Sequence, residues 1–358
     1  MKKQPVRPVL GCAELSQYTT MSRNVTVLQN ENGEYDSTPT YLFDHVELYK
    51  DNPHEAALTW FVDAHYGLGL HFGIHSLMGR GHDVMRREAM KPEAYKQLLQ
   101  SFRADHFDAV DLVEFAIANG MRYVDFTVRG ADGFCLYNSA VCEFNCAASP
   151  AKRDLLAELA SVCEYHGIGL CLTYSHGVDW THPNSPESLA EAKEGISGYL
   201  DYAAEQLREL LTQYGPIAAV CLEGIEHLGR PGYDKAVCDD LYRMIRHFQP
   251  QTLISYQGGA TGDEDFFYME DESSREAKPD KIAQLRENMT PGRFSYDPSL
   301  AGRHLKEQHI MDRLRDADRQ RANLLVSTCL MPDGSLDLED MNTLLSVGQY
   351  IEKHGFPR

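Results

Sequence analysis

No window of this 358-residue chain reaches the roughly 18 consecutive apolar residues of a membrane-spanning helix. The N-terminal MKKQPVRPVLGC breaks its apolar run with proline before it is long enough for a signal-peptide core. The expectation is a soluble, cytoplasmic protein with no membrane partner. Positive charge is also scarce. Thirty-four basic residues stand against 53 acidic ones, a formal net charge of -19 that repels phosphate backbones and argues against nucleic acid as a partner. A neutral ligand suits that balance better. Paired cysteines are missing too: the nine stand at 12, 135, 142, 146, 163, 171, 221, 238 and 329 without CxxC spacing. A structural zinc site therefore lacks its ligand set, and reduced, mostly buried thiols are expected. The chain has no GxGxxG after a strand, no phosphate-binding P-loop, no GxSxG and neither HExxH nor an HxH pair. Dinucleotide, nucleoside-triphosphate, serine-hydrolase and zinc-peptidase chemistry go without their motifs, so no cofactor and no metal are expected.

What the chain does have is one repeated grammar: an amphipathic helix, a glycine, then an apolar strand. It appears in FAIANG-MRYVDFTV, LASVCEYHG-IGLCLTYS and LRELLTQYG-PIAAVCLEG, where Gly120, Gly167 and Gly215 end the helices. The near-continuous apolar strands fit a parallel sheet covered on both faces, and parallel neighbours need helical crossovers. Further strands are expected at 68–74, 252–256 and 324–327, with helices near 91–118, 151–166, 190–214, 234–248, 304–320 and 338–354. That count predicts a (β/α)8 TIM-like barrel with one or two irregular repeats. Residues 1–55, poor in periodicity, read as an N-terminal extension packed on the barrel. Residues 56–358 read as a single catalytic domain, and residues 258–300 as one long loop.

Chemistry is expected at the C-terminal ends of barrel strands. From Tyr123 to Asp154 a strand runs into a polar loop carrying Arg129, Asp132 and three cysteines, and Ser149-Pro150 looks like the start of a helix. Glu223 ends the strand PIAAVCLEG, with Glu226 close behind. The later acidic run from Asp263 to Glu272 could supply a second carboxylate, and two carboxylates with separated pKa values are what glycoside hydrolysis requires. The competing reading for most of that run is solvated surface. His71, His75 and His176 fall at predicted strand ends, as sugar-hydroxyl partners or as satisfied structural histidines. Trp180, one of only two tryptophans, follows a strand closed by Tyr174, either as a platform for a sugar ring or as core.

Several blocks, in order, give the chain a resemblance to the α-L-fucosidase family from about Trp60 to Gly355. WFVDAHYGLGLHFGIHS is similar to the family's opening WF-x-DAK-x-G-x-F-x-HWG-x-x-S, DGFCLYNS to DGFCLWDS, and TYSHGVDW to YYS-x-x-DW. QLRELLTQYGPIAAVCLEG and ANLLVSTCLMPDGS also have family counterparts. The resemblance implies a barrel glycosidase whose nucleophile, an aspartate in the family, is Glu223, and whose acid/base is Glu270, with Glu272 as second choice. It places His71 and Tyr174 against the sugar. Together with the residue-level reading, the expected substrate-binding set is His71, Arg129, Asp132, Tyr174, Trp180 and Gln257. The departures gather in the sugar pocket. KHHDGF becomes RGADGF, so Gly130 and Ala131 replace two histidines; the EWY block is lost around Asp83; the HWG tryptophan is Phe72; the WFDG tryptophan is Cys221; and an arginine after the next strand is Gln257. Two readings follow: a retaining glycosidase acting on something other than a plain fucoside, or a catalytically silent carbohydrate-binding relative. A Glu223 locked in an arginine pair would favour the second. The expected end of the barrel at the C-terminus leaves no room for an appended β-sandwich, so the ligand would be held by barrel loops or by a neighbouring subunit of a homo-oligomer.

Overall fold

The computed structural model describes residues 32–35, 37–188, 190, 195–269 and 280–357. Eight strands form one parallel sheet: β1 Tyr66–His71, β2 Tyr123–Arg129, β3 Gly169–Ser175, β4 Ala219–Glu223, β5 Leu253–Tyr256, β6 Phe266–Met269, β7 Ile282–Asn288 and β8 Ala322–Cys329. Their order is β5-β4-β3-β2-β1-β8-β7-β6, so β1 pairs with β8 and the sheet curls into a barrel. Between β5 and β6 the ladder gives way to three hydrogen bonds. Asp265 N donates to Ile254 O at 2.8 Å, Tyr268 N donates to Gln257 O at 3.0 Å, and the Asp265 carboxylate accepts from Ile254 N at 2.7 Å.

Seven helices of eight or more residues are present among the described residues: α1 Pro53–Ala64, α2 Ala109–Ala118, α3 Leu155–His166, α4 Ser197–Gln213, α5 Lys235–Phe248, α6 Glu307–Gln320 and α7 Leu338–His354. Asp108, Asp154 and Asp234 cap α2, α3 and α5 by accepting first-turn amides. Gly120, Gly167 and Gly215 all have positive φ (+79°, +68° and +73°), as the helix–glycine–strand junctions require. No described helix is long and apolar enough to cross a membrane.

Three local expectations need correction. The region 258–300 is not one loop, because it contains β6 and β7. Their signal was masked: β6 is only four residues long, and β7 carries Gln284 and Arg286 among its apolar positions. The helix expected over 91–118 is broken, with short turns up to Ser101 and α2 starting at Ala109. Ser149 does not open a helix. Its hydroxyl closes a turn onto Cys146 O at 2.6 Å, Lys152 at φ +53° redirects the chain, and Asp154 caps α3.

Two packed clusters hold the barrel. Most apolar side chains fill the layer between strands and outer helices. The second cluster plugs the N-terminal end of the barrel, where Trp60 and Phe61 of α1 meet Tyr123, Cys171, Ala219 and Leu325. The eight cysteines among the described residues are free thiols, and all but Cys142 are buried.

Candidate active site

β4 ends in Glu223, and the backbone beneath it is unusually constrained. Gly177 N donates to Glu223 O at 2.8 Å, and Gly177 and Gly224 lie so close that a Cβ on Gly224 would fall 2.6 Å from Gly177 Cα. Gly224 itself sits at φ +93°. The side-chain oxygen of Gln257 accepts from Gly224 N at 3.1 Å and Ile225 N at 2.8 Å. Strand, turn and amide clamp together aim the Glu223 carboxyl into a cleft of about 610 Å³ at the C-terminal mouth of the barrel.

The electrostatic neighbours of Glu223 come through the barrel interior. Arg286 of β7 stacks on the ring of Tyr268, 3.3 Å from its centroid, and directs one guanidinium nitrogen to Asp125 at 3.4 Å and the other towards Glu223 at 3.7 Å. Its Nε donates to Gln284 Oε1 at 3.2 Å. The Glu223 side chain remains 36% exposed through the cleft. Its pKa is nevertheless raised, chiefly because burial disfavours the charge; Asp125 and Glu226 push the same way, and Arg286 opposes them. Facing this group are imidazoles kept neutral by their surroundings. Burial, His82, Arg286 and His75 lower His71 to about 3, and burial followed by His75 lowers His82 to about 4.

Of the residues singled out from the sequence, His71, Asp132, Trp180, Glu223 and Gln257 line this cleft. Arg129 and Tyr174 do not. Arg129 is fully buried behind the wall, where its guanidinium donates to Asp179 Oδ2 at 3.0 Å, Tyr199 OH at 3.1 Å, Gln206 Oε1 at 3.2 Å and the Tyr174 hydroxyl. Asp179 in turn accepts from Thr181 N and His182 N, so Arg129 fixes the loop that carries Trp180. The expectation that Arg129 and Tyr174 contact a ligand is corrected on this point: an arginine buried behind the wall with both terminal nitrogens engaged, and the hydroxyl beside it, are positioning groups. His176 is likewise structural, bonded to Tyr233 OH at 2.9 Å and lowered to about 3 by burial and by Arg129. Glu270 and Glu272 lie outside the described residues. The sequence reading missed His82, Phe294 and Arg286. Arg286 was legible only once β7 was recognised as a strand, since residues 284 and 286 then share one face.

Away from the cleft, His304, Asp337 and Asp340 form the one described cluster with metal-ligand chemistry. Its atoms are already engaged: His304 Nδ1 meets Asp340 Oδ1 at 2.6 Å, Thr328 donates to the other Asp340 oxygen at 2.6 Å, and Asp337 accepts from Glu339 N at 2.8 Å.

The α-L-fucosidase family model matches residues 44–356. A putative α-L-fucosidase 1 of Oryza sativa subsp. japonica is 29% identical over 210 residues, covering 58% of this chain and 36% of its own length. Alpha-L-fucosidase 1 of Arabidopsis thaliana is 30% identical over 161 residues, covering 44% of this chain and 30% of its own. The chain thus spans about a third of the length of these curated relatives. Among solved structures, α-L-fucosidase AlfC from Lactobacillus casei, in complex with its α-L-fucose product, superposes with a TM-score of 0.73 at 22% identity, covering 83% of this chain and 98% of its own. An α-L-fucosidase from Bacteroides thetaiotaomicron gives 0.74 at 20% identity, covering 84% and 74%. Those likenesses establish a common barrel, and the family match runs from the residues before α1 to the end of α7. The chain belongs to the α-L-fucosidase family of glycoside hydrolases.

Proposed function

We propose that the chain is a retaining glycosidase in which Glu223 is the nucleophile, acting on a glycoside other than a plain α-L-fucoside. The observation that carries this reading is the geometry of Glu223. It stands at a strand end, opens into the cleft, and lies 3.7 Å from Arg286, beyond hydrogen-bond length. The shorter bonds of Arg286 go to Asp125 and Gln284, so Glu223 is not locked in an arginine pair. Such a carboxylate is free to attack an anomeric carbon while a nearby cation favours its charged form.

In the first step a Glu223 oxygen bonds to the anomeric carbon, the glycosidic C–O bond breaks, and the leaving oxygen takes a proton from an acid. In the second, water gives a proton back to the same residue and displaces Glu223. Glu270, which follows β6 directly in the sequence, is proposed as that acid. The choice of a substrate other than a plain fucoside rests on the cleft wall. Gly130 and Ala131 line it where the family motif has two histidines, which removes two hydrogen-bonding groups from the sugar site.

The test is hydrolysis of a panel of aryl glycosides, α-L-fucoside and α- and β-galactoside among them, by the native protein and by Glu223→Gln. Turnover of one member that falls about 10⁴-fold or more in the variant is expected, the scale on which loss of a nucleophile acts. No turnover of any member by a folded native protein would overturn the reading in favour of a carbohydrate-binding relative.

A further inference from the structure

We propose that His75, oriented by Asp132, contacts the glycone in this cleft, with its Nε2 accepting a hydrogen bond from a sugar hydroxyl beside Gly130 and Ala131. The inference rests on the glycosidase reading above and assigns one of its substrate contacts.

The argument begins in the segment HFGIHS. β1 ends at His71, and the turn Ile74–Met78 folds the chain back so that the His75 imidazole lies on Gly73. A Cβ on Gly73 would stand 2.7 Å from the ring's Cε1 and 2.9 Å from Nδ1, so the absence of a side chain there is what admits the ring. Nδ1 faces Asp132 Oδ2 at 3.5 Å. Asp132 is itself immobilised, because Tyr95 OH donates to Oδ2 at 2.8 Å and Phe134 N to Oδ1 at 3.2 Å. Burial alone would raise its pKa, but hydrogen bonds from His75, Tyr95 and the Phe134 amide outweigh burial and hold it below the usual range. A carboxylate opposite Nδ1 selects the tautomer with the proton on Nδ1, which leaves a lone pair on Nε2.

That Nε2 has no hydrogen-bond partner among the described residues, although His75 is only 7% exposed and lines the cleft. Buried polar atoms are ordinarily paired; this one is covered as the wall stands, so a ligand hydroxyl reaches it by a small shift of the side chains around it. A second unpartnered nitrogen lines the same cleft: Trp180 Nε1, in a residue 5% exposed and anchored by its own amide to Ala131 O at 2.7 Å. The two differ in sense, since an indole N–H can only donate and this imidazole nitrogen accepts. A polyhydroxylated ring, whose hydroxyls both donate and accept, satisfies the pair. Gly130 and Ala131, small residues of the same wall, place no side-chain donor of their own there. His75 then supplies, from the turn after β1, an imidazole that the RGADGF segment lacks.

The experiment uses the aryl glycoside that the native protein turns over best, together with its singly deoxygenated analogues, on native protein, His75→Phe, Asp132→Asn and Glu223→Gln. For the parent glycoside, kcat/KM is expected to fall on the order of 10-fold in His75→Phe. One deoxy analogue should lose a similar factor on native protein and nothing further on His75→Phe. Asp132→Asn, which removes the carboxylate charge opposite Nδ1 but leaves the imidazole in place, should retain part of the sensitivity to that hydroxyl. If His75→Phe matches native protein on the parent glycoside, or every deoxy analogue is penalised equally with and without His75, this inference falls while Glu223-dependent turnover still upholds the glycosidase reading. If native protein turns over no glycoside at all, both fall. The deoxy series is read on native protein, so poor folding of a variant leaves the choice of hydroxyl intact.

Discussion

At the scale of single residues the decisive group is Arg286. One guanidinium serves two carboxylates, Asp125 at 3.4 Å and Glu223 at 3.7 Å, and the raised pKa of Glu223 is the net result of burial opposed by that cation. The sign for activity follows from the role proposed for Glu223. A nucleophile works as the carboxylate, so activity is present above its pKa and is lost as pH falls through it. A raised pKa places that acid limb above the roughly 4.3 of an ordinary glutamate. Arg286→Met removes the influence that lowers the value and should move the acid limb of kcat/KM upward. Asp125→Asn removes an influence that raises it and should move the limb the other way. A pH–rate profile of the two variants checks the prediction, and shifts of the same sign would refute it. Arg286 also marks the limit of sequence reading at this scale. Glu223 was visible as a carboxylate closing an apolar strand, whereas Arg286 stood in a stretch whose acidic and polar flanks hid its strand character.

At the scale of elements, the turn after β4 decides where Glu223 points. Gly177 follows β3 and Gly224 follows β4, and their backbones pass in contact, with no room for a Cβ on either. The sequence placed a glycine where the chain must turn after Glu223. The need for a second glycine opposite it is a tertiary fact that no local pattern encodes. Gly224→Ala is expected to impose two penalties: positive-φ strain of about 1–3 kcal/mol, and a collision with Gly177 that displaces the Glu223 carboxyl. Gly229 separates them. It has φ +94°, like Gly224, yet an added Cβ there would meet nothing within 4 Å. Thermal unfolding should show the strain loss in Gly229→Ala and a larger loss in Gly224→Ala, while kcat should fall at least about 10-fold only in Gly224→Ala, because misplacing a reacting group by about 1 Å is costly. Equal kcat in the two variants would show that the close approach does not position Glu223. The short helix pieces before α2 make the same point from the other side: good helix formers make 91–118 read as one helix, and Phe102 and Ala104 instead turn inward into the core.

At the scale of the whole molecule, the barrel depends on how its ends meet. Seven of the eight strand junctions are parallel ladders, the β2–β3 one with a register shift between Thr127 and Arg129, and the repeated helix–glycine–strand grammar made those around β2, β3 and β4 readable in advance. The eighth junction, between β5 and β6, is joined by a side chain. Asp265 stands in for a ladder residue by accepting from Ile254 N, and the same carboxylate accepts from His54 Nε2 at 2.8 Å and Arg246 Nη2 at 3.4 Å. It thereby ties α1, which plugs the barrel, and α5, which covers it, to the seam. In the sequence Asp265 is one of a run of acids and reads as solvated surface, yet its side chain is only 6% exposed. Asp265→Ala would leave the Ile254 amide buried without its partner and release both tethers, a loss of about 2–3 kcal/mol. The effect should be local before it is global. Native-state amide exchange is expected to show lost protection in β5 and β6 with β1, β2 and β3 unchanged, because a parallel barrel opens first where its ladder is weakest. Uniform loss of protection around all eight strands would mean that the seam is no weaker than the rest and that Asp265 contributes only to global stability. Unchanged protection everywhere would mean that the two remaining backbone bonds close the barrel by themselves.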